Sequence, residues 1–321
     1  MKASEYIQIK SKEWFELVSI EEAAKYHKRN VERCLAAIEY HKKQDRPINI
    51  LAVYGSGRSN YNSCAQELSN SQLLLRGALE QFRNEKYEIT EIPLRSYNIE
   101  PCNNCYATSS ALCGFPCNCF PLDPMQDLYP LVLKCDVMFC ATGVNQSDMS
   151  SRMKTFLDRL ISLDGGFYVS PEQFGPKDYD WRDKCIALAT ELSKRKEINY
   201  DARMWGRTAA YFISSKDEKN DINTVARDYK ELDDLSYIER VAAVLREGNA
   251  DYGFLHDKED WYAGCYADPN VEMAYDKKTT FSNPAFAERA ALVARKAVEL
   301  AEKIRKDPIP FDGGGRGKTR T

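Results

Sequence analysis

The residues best equipped for chemistry crowd one short stretch, Gly55-Ser-Gly-Arg-Ser-Asn-Tyr-Asn-Ser63. Ser56, Arg58, Ser59, Asn62 and Ser63 offer hydroxyl, guanidinium and amide groups there. An apolar run, Ile48-Asn-Ile-Leu-Ala-Val-Tyr54, stops at Gly55, and a helix-periodic segment follows from about Ser69 to Phe82. Strand, polar loop and helix are how a parallel α/β sheet presents an anion site. The loop exposes backbone N–H groups and the helix N-terminus adds partial positive charge. The serines donate hydrogen bonds, and the Arg58 fork can grip a phosphate dianion. No Gly-Lys-Ser/Thr follows, so this is not a Walker loop, and Asn60 stands where Gly-x-Gly-x-x-Gly needs its third glycine. The missing glycines argue against a dinucleotide pyrophosphate and leave room for a single terminal phosphate. The alternative is an ordinary strand-to-helix turn, which has no use for so many donors.

A second concentration is Cys102, Cys105, Cys113, Cys117 and Cys119, five thiols in eighteen residues. Thiolates this close in sequence hold zinc or an iron–sulfur cluster. The spacing C-x2-C-x7-C-x3-C-x-C is not a standard zinc pattern. A cluster, zinc, or plain thiols with one redox-active pair all remain open for this segment. Cys34, Cys64, Cys135, Cys140, Cys185 and Cys265 stand in apolar or isolated contexts and read as core. Only His27, His41 and His256 carry imidazoles, far apart, which disfavours a histidine-rich metal site and a Ser-His-Asp constellation. His256 reads as structural, Asp158 with Arg159 as a surface pair, and the aromatic run Trp261 to Tyr266 as packing.

The elements that must hold these groups alternate strand and helix. Ser19-Ile-Glu-Glu22 resembles a capping box opening a helix to about Lys43. Ile48–Tyr54 is the first strand, and the helix from Ser69 to Phe82 turns Leu73, Leu74, Gly77, Leu79 and Phe82 inward. Tyr87 to Pro93 is a second strand, Leu122 to Leu133 a short helix, and Cys135 to Thr142 a buried third strand followed by a loop, Gly143 to Asp148. Ser150 to Leu163 is a helix with Met153, Phe156, Leu157 and Leu160 on one face. Residues 167–182 form a long excursion, and 183–196 read as a helix. Gly206 to Ile213 is the fourth strand, Asp221 to Glu247 one or two helices, Asp251 to His256 a weaker fifth strand, and Ser282 to Ile304 a final helix with Pro284 in its first turn.

Alternation of this kind specifies a parallel sheet covered on both faces. Five strands fit a flavodoxin-like, three-layer, doubly wound sheet of order 2-1-3-4-5, which binds ligands where the winding reverses, at the carboxyl ends of strands 1 and 3. Those ends carry the two polar loops. Residues 1–46 read as an N-terminal helical extension, 47–305 as the sheet domain with a Cys-rich loop at 101–121, and 306–321 as a flexible tail.

With 48 acidic against 45 basic residues in 321, the net charge of -3 suggests neither a nucleic-acid nor an anionic-membrane partner. No apolar run reaches the roughly 18 residues of a transmembrane helix. The polar start, Met-Lys-Ala-Ser-Glu-Tyr, lacks a signal-peptide core, so a cytoplasmic location with reduced thiols is expected.

Gly55-Ser-Gly-Arg-Ser with Asn62-Ser63 resembles the first loop of NADPH-dependent FMN reductases and iron–sulfur flavoproteins. Ala141-Thr-Gly-Val and Met153-Lys-Thr-Phe-Leu-Asp-Arg159 resemble their second loop and the helix behind it. A bacterial branch of flavodoxin-family NAD(P)H-dependent oxidoreductases is similar in Ser63-Cys-Ala-Gln-Glu-Leu-Ser-Asn-Ser71 and in Leu112-Cys-Gly-Phe-Pro-Cys-Asn-Cys-Phe120. It is also similar in Asp158-Arg-Leu, Asp164-Gly-Gly166 and Gly206-Arg. The likeness covers about residues 48–305. The resemblance implies an FMN phosphate held by Ser56, Arg58 and Ser59, with Asn62, Ser63 or the pair Ser69 and Ser71 on its far side. It implies that Thr142, Gly143, Val144, Asn145 and Gln146 line the isoalloxazine, and that Ser214, Ser215 and Lys216 form a third wall. Where the family has Pro and aromatic residues in its second loop, this chain has Thr142-Gly-Val-Asn-Gln-Ser147. Tyr106, Phe120 or a partner subunit is the candidate source of the missing ring. The cysteine spacing also departs from the compact C-x2-C-x2-C run of iron–sulfur flavoproteins.

Three functions follow as expectations. The first is a flavoenzyme passing electrons from NAD(P)H through FMN to a quinone, a flavin or another small acceptor, with no acid–base residue required. The second is an electron carrier whose 102–119 cysteines hold an iron–sulfur cluster and exchange electrons with a redox protein. The third is a non-catalytic, flavodoxin-like binding module. By analogy with this fold, a homodimer or homotetramer is expected.

Overall fold

Ile48–Tyr54 is buried at all seven positions and forms β1, an interior strand of a parallel sheet. Alternate residues face opposite layers, as a pleated strand requires. Leu51 and Val53 enter one core, and Ile48, Ile50, Ala52 and Tyr54 enter the other. The computed structural model describes residues 20–58, 68–104, 113–117, 119–164, 203–215, 236–266 and 283–310. Readings made for Ser19, Ser59, Asn62, Ser63, Cys64, Cys105, Tyr106, Cys185, Lys216, the helix at 183–196 and the tail from 312 lie outside these residues.

β1 pairs in parallel with β2 (Tyr87–Pro93) on one side and with β3 (Val137–Asn145) on the other. β3 pairs with β5 (Thr208–Ser215), and β5 with β6 (Tyr262–Tyr266), again in parallel. The two-residue β4 (Asp148–Met149) pairs antiparallel to the tip of β3. The order β2-β1-β3-β5-β6 is therefore the expected doubly wound one, with β4 as an appendage.

α2 (Asn70–Leu79) and α6 (Pro284–Lys306) cover one face. α3 (Met125–Lys134), α4 (Ser151–Asp164) and α5 (Tyr237–Asp251) cover the other. α1 (Ile20–His41) packs on α3 and sends Cys34 and Ala37 into that second core. Each helix has a local cause. Ser236 and Glu239 close a capping box at the start of α5, and Asn283 caps α6 ahead of Pro284. α6 buries Ala290, Val293, Ala294, Ala297, Val298, Ala301 and Ile304, a stripe with helical period. Among the described residues no helix is long and apolar enough to cross a membrane.

The structure shifts several sequence readings. The inward face of α2 is Leu74, Leu75, Ala78 and Leu79, whereas Gly77 is exposed. α3 starts at Met125, not Leu122, because the Asp123 carboxylate accepts Met125 N at 2.6 Å. Residues 251–256 turn instead of running as the fifth strand. The Asn249 carbonyl accepts from both Tyr252 N and Phe254 N, and Gly253 takes a left-handed φ of 99°. A Cβ on Gly253 would lie 3.1 Å from Trp205 N, so glycine fits both the turn and the approach. The fifth parallel strand is Tyr262–Tyr266, whose buried Ala263 and Cys265 are small and give a faint apolar signal.

The amino-terminal edge of the sheet is tied by charge. Asp136 accepts a bidentate pair from Arg46 at 2.6 and 2.8 Å, one bond from Arg305 at 2.9 Å, and the Asn49 N–H at 2.8 Å. Burial alone would raise the Asp136 carboxyl. The bonds from Arg46 and Asn49, with the nearby positive charge, hold it below the usual carboxylate range. Arg305 also donates to the carbonyls of Arg46 and Pro47, joining the last helix to the entry of β1.

Candidate functional site

At the opposite edge the carboxyl ends of β1, β3 and β5 lie side by side. Tyr54 pairs with Ala141 and Gly143 with Ser214, and Gly55 N donates to Ala141 O at 2.8 Å. Ser150, just ahead of α4, locks the first two ends together. Its hydroxyl donates to Gly55 O at 2.8 Å and accepts Met153 N at 3.4 Å, while Ser150 N donates to Thr142 Oγ1 at 3.0 Å. A Cβ on Gly55 would sit 2.8 Å from both Met153 Cβ and Ser150 Oγ, so the approach needs glycine. A Cβ on Gly57 would sit 3.7 Å from Arg152 Nε, which places that guanidinium beside the loop.

The expected contacts divide into exposed groups and groups already engaged. Ser56 is 9% exposed, and its Oγ accepts Arg58 N at 3.1 Å, curling the loop so that Arg58 sits half-buried at the rim. Thr142 is fully buried and its hydroxyl donates to Gly143 O, so it positions the rim and does not line it. Ser69 caps α2 by accepting Gln72 N at 3.3 Å and shares a hydrogen bond with Ser71 at 3.2 Å, which occupies both hydroxyls within the helix start. Ser214 is half-buried, its Oγ 3.6 Å from where a Gly143 Cβ would be. Ser215 is buried one residue further on.

The stretch expected as a loop, 143–148, is a hairpin. β3 continues to Asn145, Val144 pairs with Met149 and Asn145 with Asp148. Gln146 and Ser147 make the turn with φ of 50° and 66°, the left-handed pair of a tight hairpin, without the glycine that usually accompanies it. Asn145 and Gln146 project into solvent from its tip.

The rim is electrostatically suited to an anion. The described ends of the three strands, 54–58, 141–145 and 213–215, hold no carboxylate. Neither α2 nor α4 has an acidic residue in its first turn, which leaves their own N-terminal turns favourable to negative charge. At the start of α2, Gln72 is fully buried, its Oε1 accepts from Arg95 at 3.2 Å, and its Nε2 has no partner among the described residues. One step back, Glu91 is tied up by the Tyr54 hydroxyl at 2.8 Å and by Arg76 at 2.9 Å. Burial and that carboxylate push the Tyr54 phenol well up, so it stays protonated.

The cysteines behave differently from one another. Among the described residues, which leave out Cys105, no three Cys, His, Asp or Glu side chains are grouped as metal ligands. Cys113 and Cys117 are buried, Cys102 and Cys119 half-buried. The Cys119 hydrogen bond to Cys117 outweighs burial and, with the Arg159 charge, brings the Cys117 thiol down to about 6. Cys34, Cys135 and Cys265 follow the core expectation, with burial raising their thiols to about 12. Cys140 is likewise buried and raised.

Arg159 overturns the surface-pair reading. Its side chain and that of Asp123 are both 0% exposed and meet at 3.2 Å. Arg159 also donates to Glu100 O at 2.7 Å, while Glu100 N donates to Asp123 at 2.8 Å. Asp158 instead pairs with Lys154. His256 is structural as expected: it bonds the Tyr211 hydroxyl at 2.7 Å, and burial lowers it to about 4. Trp261 packs against Tyr211 and Tyr262 with Arg246 over its ring, as the packing reading requires.

Sequence reasoning missed Ser150, Arg152, Gln72 and Arg95 at this edge. The only signal for Ser150 was its place ahead of a helix, where serine is a common cap. Residues 48–214 match the family described as NADPH-dependent FMN reductase. An iron–sulfur flavoprotein from Archaeoglobus fulgidus is 27% identical over 96 residues, which are 30% of this chain and 41% of that relative. The aligned region thus spans about two fifths of the relative's length. The solved structure of RosB with bound 8-demethyl-8-formylriboflavin-5'-phosphate shares the fold at a TM-score of 0.53, with 12% identity over 83% of each chain. The Trp repressor binding protein from Bacillus subtilis is 12% identical, covering 76% of this chain and 96% of that one, at a TM-score of 0.38.

Proposed function

Because this chain belongs to the NADPH-dependent FMN reductase family, we propose that it is an FMN-dependent oxidoreductase that passes electrons from NAD(P)H to a quinone, a flavin or another small acceptor. The observation that carries this proposal is the edge where three strand ends with no carboxylate among their described residues 54–58, 141–145 and 213–215, Arg58, Arg152 and two helix starts with no acidic residue in their first turns come together. These donors fit a phosphomonoester dianion, and the unpartnered Gln72 Nε2 adds a buried N–H to the set.

FMN, when bound, supplies the capacity to take a hydride from reduced nicotinamide and release electrons onward. The chain's part is binding, orientation and electrostatics. Ser56 and Arg58 hold the phosphate, joined by Ser59, Asn62 and Ser63 from the same loop. With their hydroxyls engaged, Ser69 and Ser71 contribute through backbone N–H groups of the helix start. Gly143, Val144, Asn145 and Gln146 line the ring along the hairpin, held in place by Thr142 and Ser150. Ser214, Ser215 and Lys216 close the third side. No cluster is assigned to the 102–119 cysteines.

The test is a titration of the purified protein with FMN and with riboflavin, followed by anaerobic addition of NADPH or NADH. The expected result is tight FMN uptake, weaker riboflavin uptake, and bleaching of the bound flavin's visible bands. Arg58→Ala should weaken FMN by about 1.5–3 kcal/mol, the worth of a charge-assisted hydrogen bond, and leave riboflavin nearly unchanged. A protein that takes up neither flavin overturns the proposal.

A further inference from the structure

The carboxyl end of β2 reaches the same edge as the loop after β1. Pro93 pairs with Tyr54, so the turn Leu94–Ser96 emerges beside Gly55. Leu94 is buried in the core and Tyr97 N donates to Leu94 O at 3.1 Å, which fixes the backbone that carries Arg95. Arg95 is half-buried, and its hydrogen bond runs to the Gln72 amide oxygen at 3.2 Å. Glu91, on β2, is already engaged. It accepts from the Tyr54 hydroxyl at 2.8 Å and from Arg76 Nε at 2.9 Å, with Arg83 at 3.7 Å. Burial first, and the Arg76 charge second, disfavour the Arg95 cation. A guanidinium pressed by a like charge, with its hydrogen bond to a neutral amide, is relieved by an anion placed beyond that amide.

Gln72 is the third residue of α2. Helical Cβ atoms tilt toward the N-terminus, so its side chain leans back over the first turn. A glutamine so placed commonly bonds the N–H of the cap residue. Here Ser69 Oγ accepts Gln72 N at 3.3 Å, as in that motif, but Gln72 Oε1 turns to Arg95. A guanidinium has donors and no acceptor, so it takes the amide by its oxygen and leaves Nε2 as the free end. That Nε2 is buried and has no partner among the described residues. A buried N–H is costly until an acceptor reaches it.

We propose that Arg95 is a positioning residue for the flavin phosphate: it holds the Gln72 amide by Oε1 so that Nε2 donates to a phosphate oxygen, and it lends its positive charge through that amide. This role presupposes the FMN reading above, and Arg95 itself touches neither the phosphate nor the ring. Arg58 grips the dianion from the loop, while Arg95 acts from behind the helix start. A ligand without the dianion gains nothing from the pair, so the pair sets the preference for FMN over riboflavin.

The experiment titrates the full-length protein and its variants with FMN and with riboflavin, follows flavin fluorescence, and compares the two dissociation constants. Arg95→Ala should weaken FMN about tenfold, the worth of one hydrogen bond to a charged group, and leave riboflavin within about twofold. Arg95→Lys keeps a cationic donor and should recover part of the loss. Gln72→Glu is the sharpest arm. Its carboxylate would pair with Arg95 and keep the helix start intact, yet set negative charge where Nε2 stood. FMN should then weaken by about a hundredfold, with riboflavin affinity and the thermal midpoint held. Joining Arg95→Ala to Gln72→Leu should cost no more FMN affinity than Gln72→Leu alone, because the two residues act in series. Arg95 is half-buried, so its variants are readable even if a Gln72 variant fails to fold. Equal loss of both flavins in Arg95→Ala would overturn the proposal and make the pair a brace for α2. So would full FMN affinity in Gln72→Glu, or losses that add in the double variant. Wild-type protein that takes up FMN no better than Arg95→Ala sinks this role alone, whereas wild-type protein that takes up neither flavin sinks the FMN reading with it.

Discussion

The two edges of the sheet use polar groups in opposite ways. At the amino-terminal edge, Asp136 accepts from Arg46, Arg305 and the Asn49 N–H, and the arginines also donate to the carbonyls of His41, Arg46 and Pro47. Charge there is satisfied from within, and it ties α1, β1, β3 and α6 together. At the carboxyl edge hydroxyls and backbone groups hold the strand ends together, through Ser150 and Thr142. The described strand ends there, 54–58, 141–145 and 213–215, carry Arg58 and no carboxylate, and Arg152 stands beside Gly57. One edge holds the fold together, and the other is the one proposed to hold an anion.

Breaking the first edge should have the largest effect. Asp136→Asn leaves Arg46 and Arg305 half-buried without their anion and should cost about 3–5 kcal/mol of unfolding free energy, read by urea denaturation. Flavin affinity of the folded fraction should stay unchanged.

Acid should act through the histidines. Burial lowers His27 and His256 to about 4, and burial followed by the Arg207 charge lowers His41 to about 3. The unfolded chain takes up these protons near pH 6.5, and the folded chain resists until near pH 4 or below. Proton uptake by the unfolded state therefore erodes stability as pH falls from 6.5 towards 4, by up to about 3 kcal/mol for each of His27 and His256. Denaturation midpoints measured across that range should drop, and His27→Leu should shallow the slope.

At the rim, Gly55→Ala forces a Cβ against Met153 and Ser150 and should cost about 1–3 kcal/mol. In contrast to Asp136→Asn, it should also weaken flavin uptake by the folded protein, because the loop and α4 must part. The smallest effect is expected at the hairpin tip. Ser147→Gly removes the left-handed strain and should stabilise by about 0.4–1 kcal/mol, measured by thermal unfolding.

Much of the frame was legible in the chain. The runs at 48–54, 87–93 and 137–142 carry their own strand signal, because a central parallel strand must be apolar on both faces. Their order alone puts the loops that follow β1 and β3 at one edge. What could not be read depends on long-range burial. Arg159 and Asp123 lie 36 residues apart, and a helix pattern gives no sign that an arginine at 159 turns inward. Ala263 and Cys265 are too small to announce a strand, and only the fit of Ile238 over Gly264 shows how α5 closes on it, a Cβ there lying 2.6 Å from Ile238 Cγ2. The hairpin escaped notice because Gln146-Ser147 lacks the Asn-Gly signature of such turns. Of the candidate site, residue types were legible, but which hydroxyls were already engaged was not.

The alanine-lined face of α6 has a consequence for the order of events during synthesis. Ala290, Ala294, Ala297 and Ala301 lie against the strands that begin with β1, and Arg305 grips backbone carbonyls 258 and 259 residues upstream. One whole side of the sheet thus stays under-covered while the ribosome is still reading. Contacts this distant in sequence form late and slowly, so the nascent chain cannot seal this face until α6 has emerged.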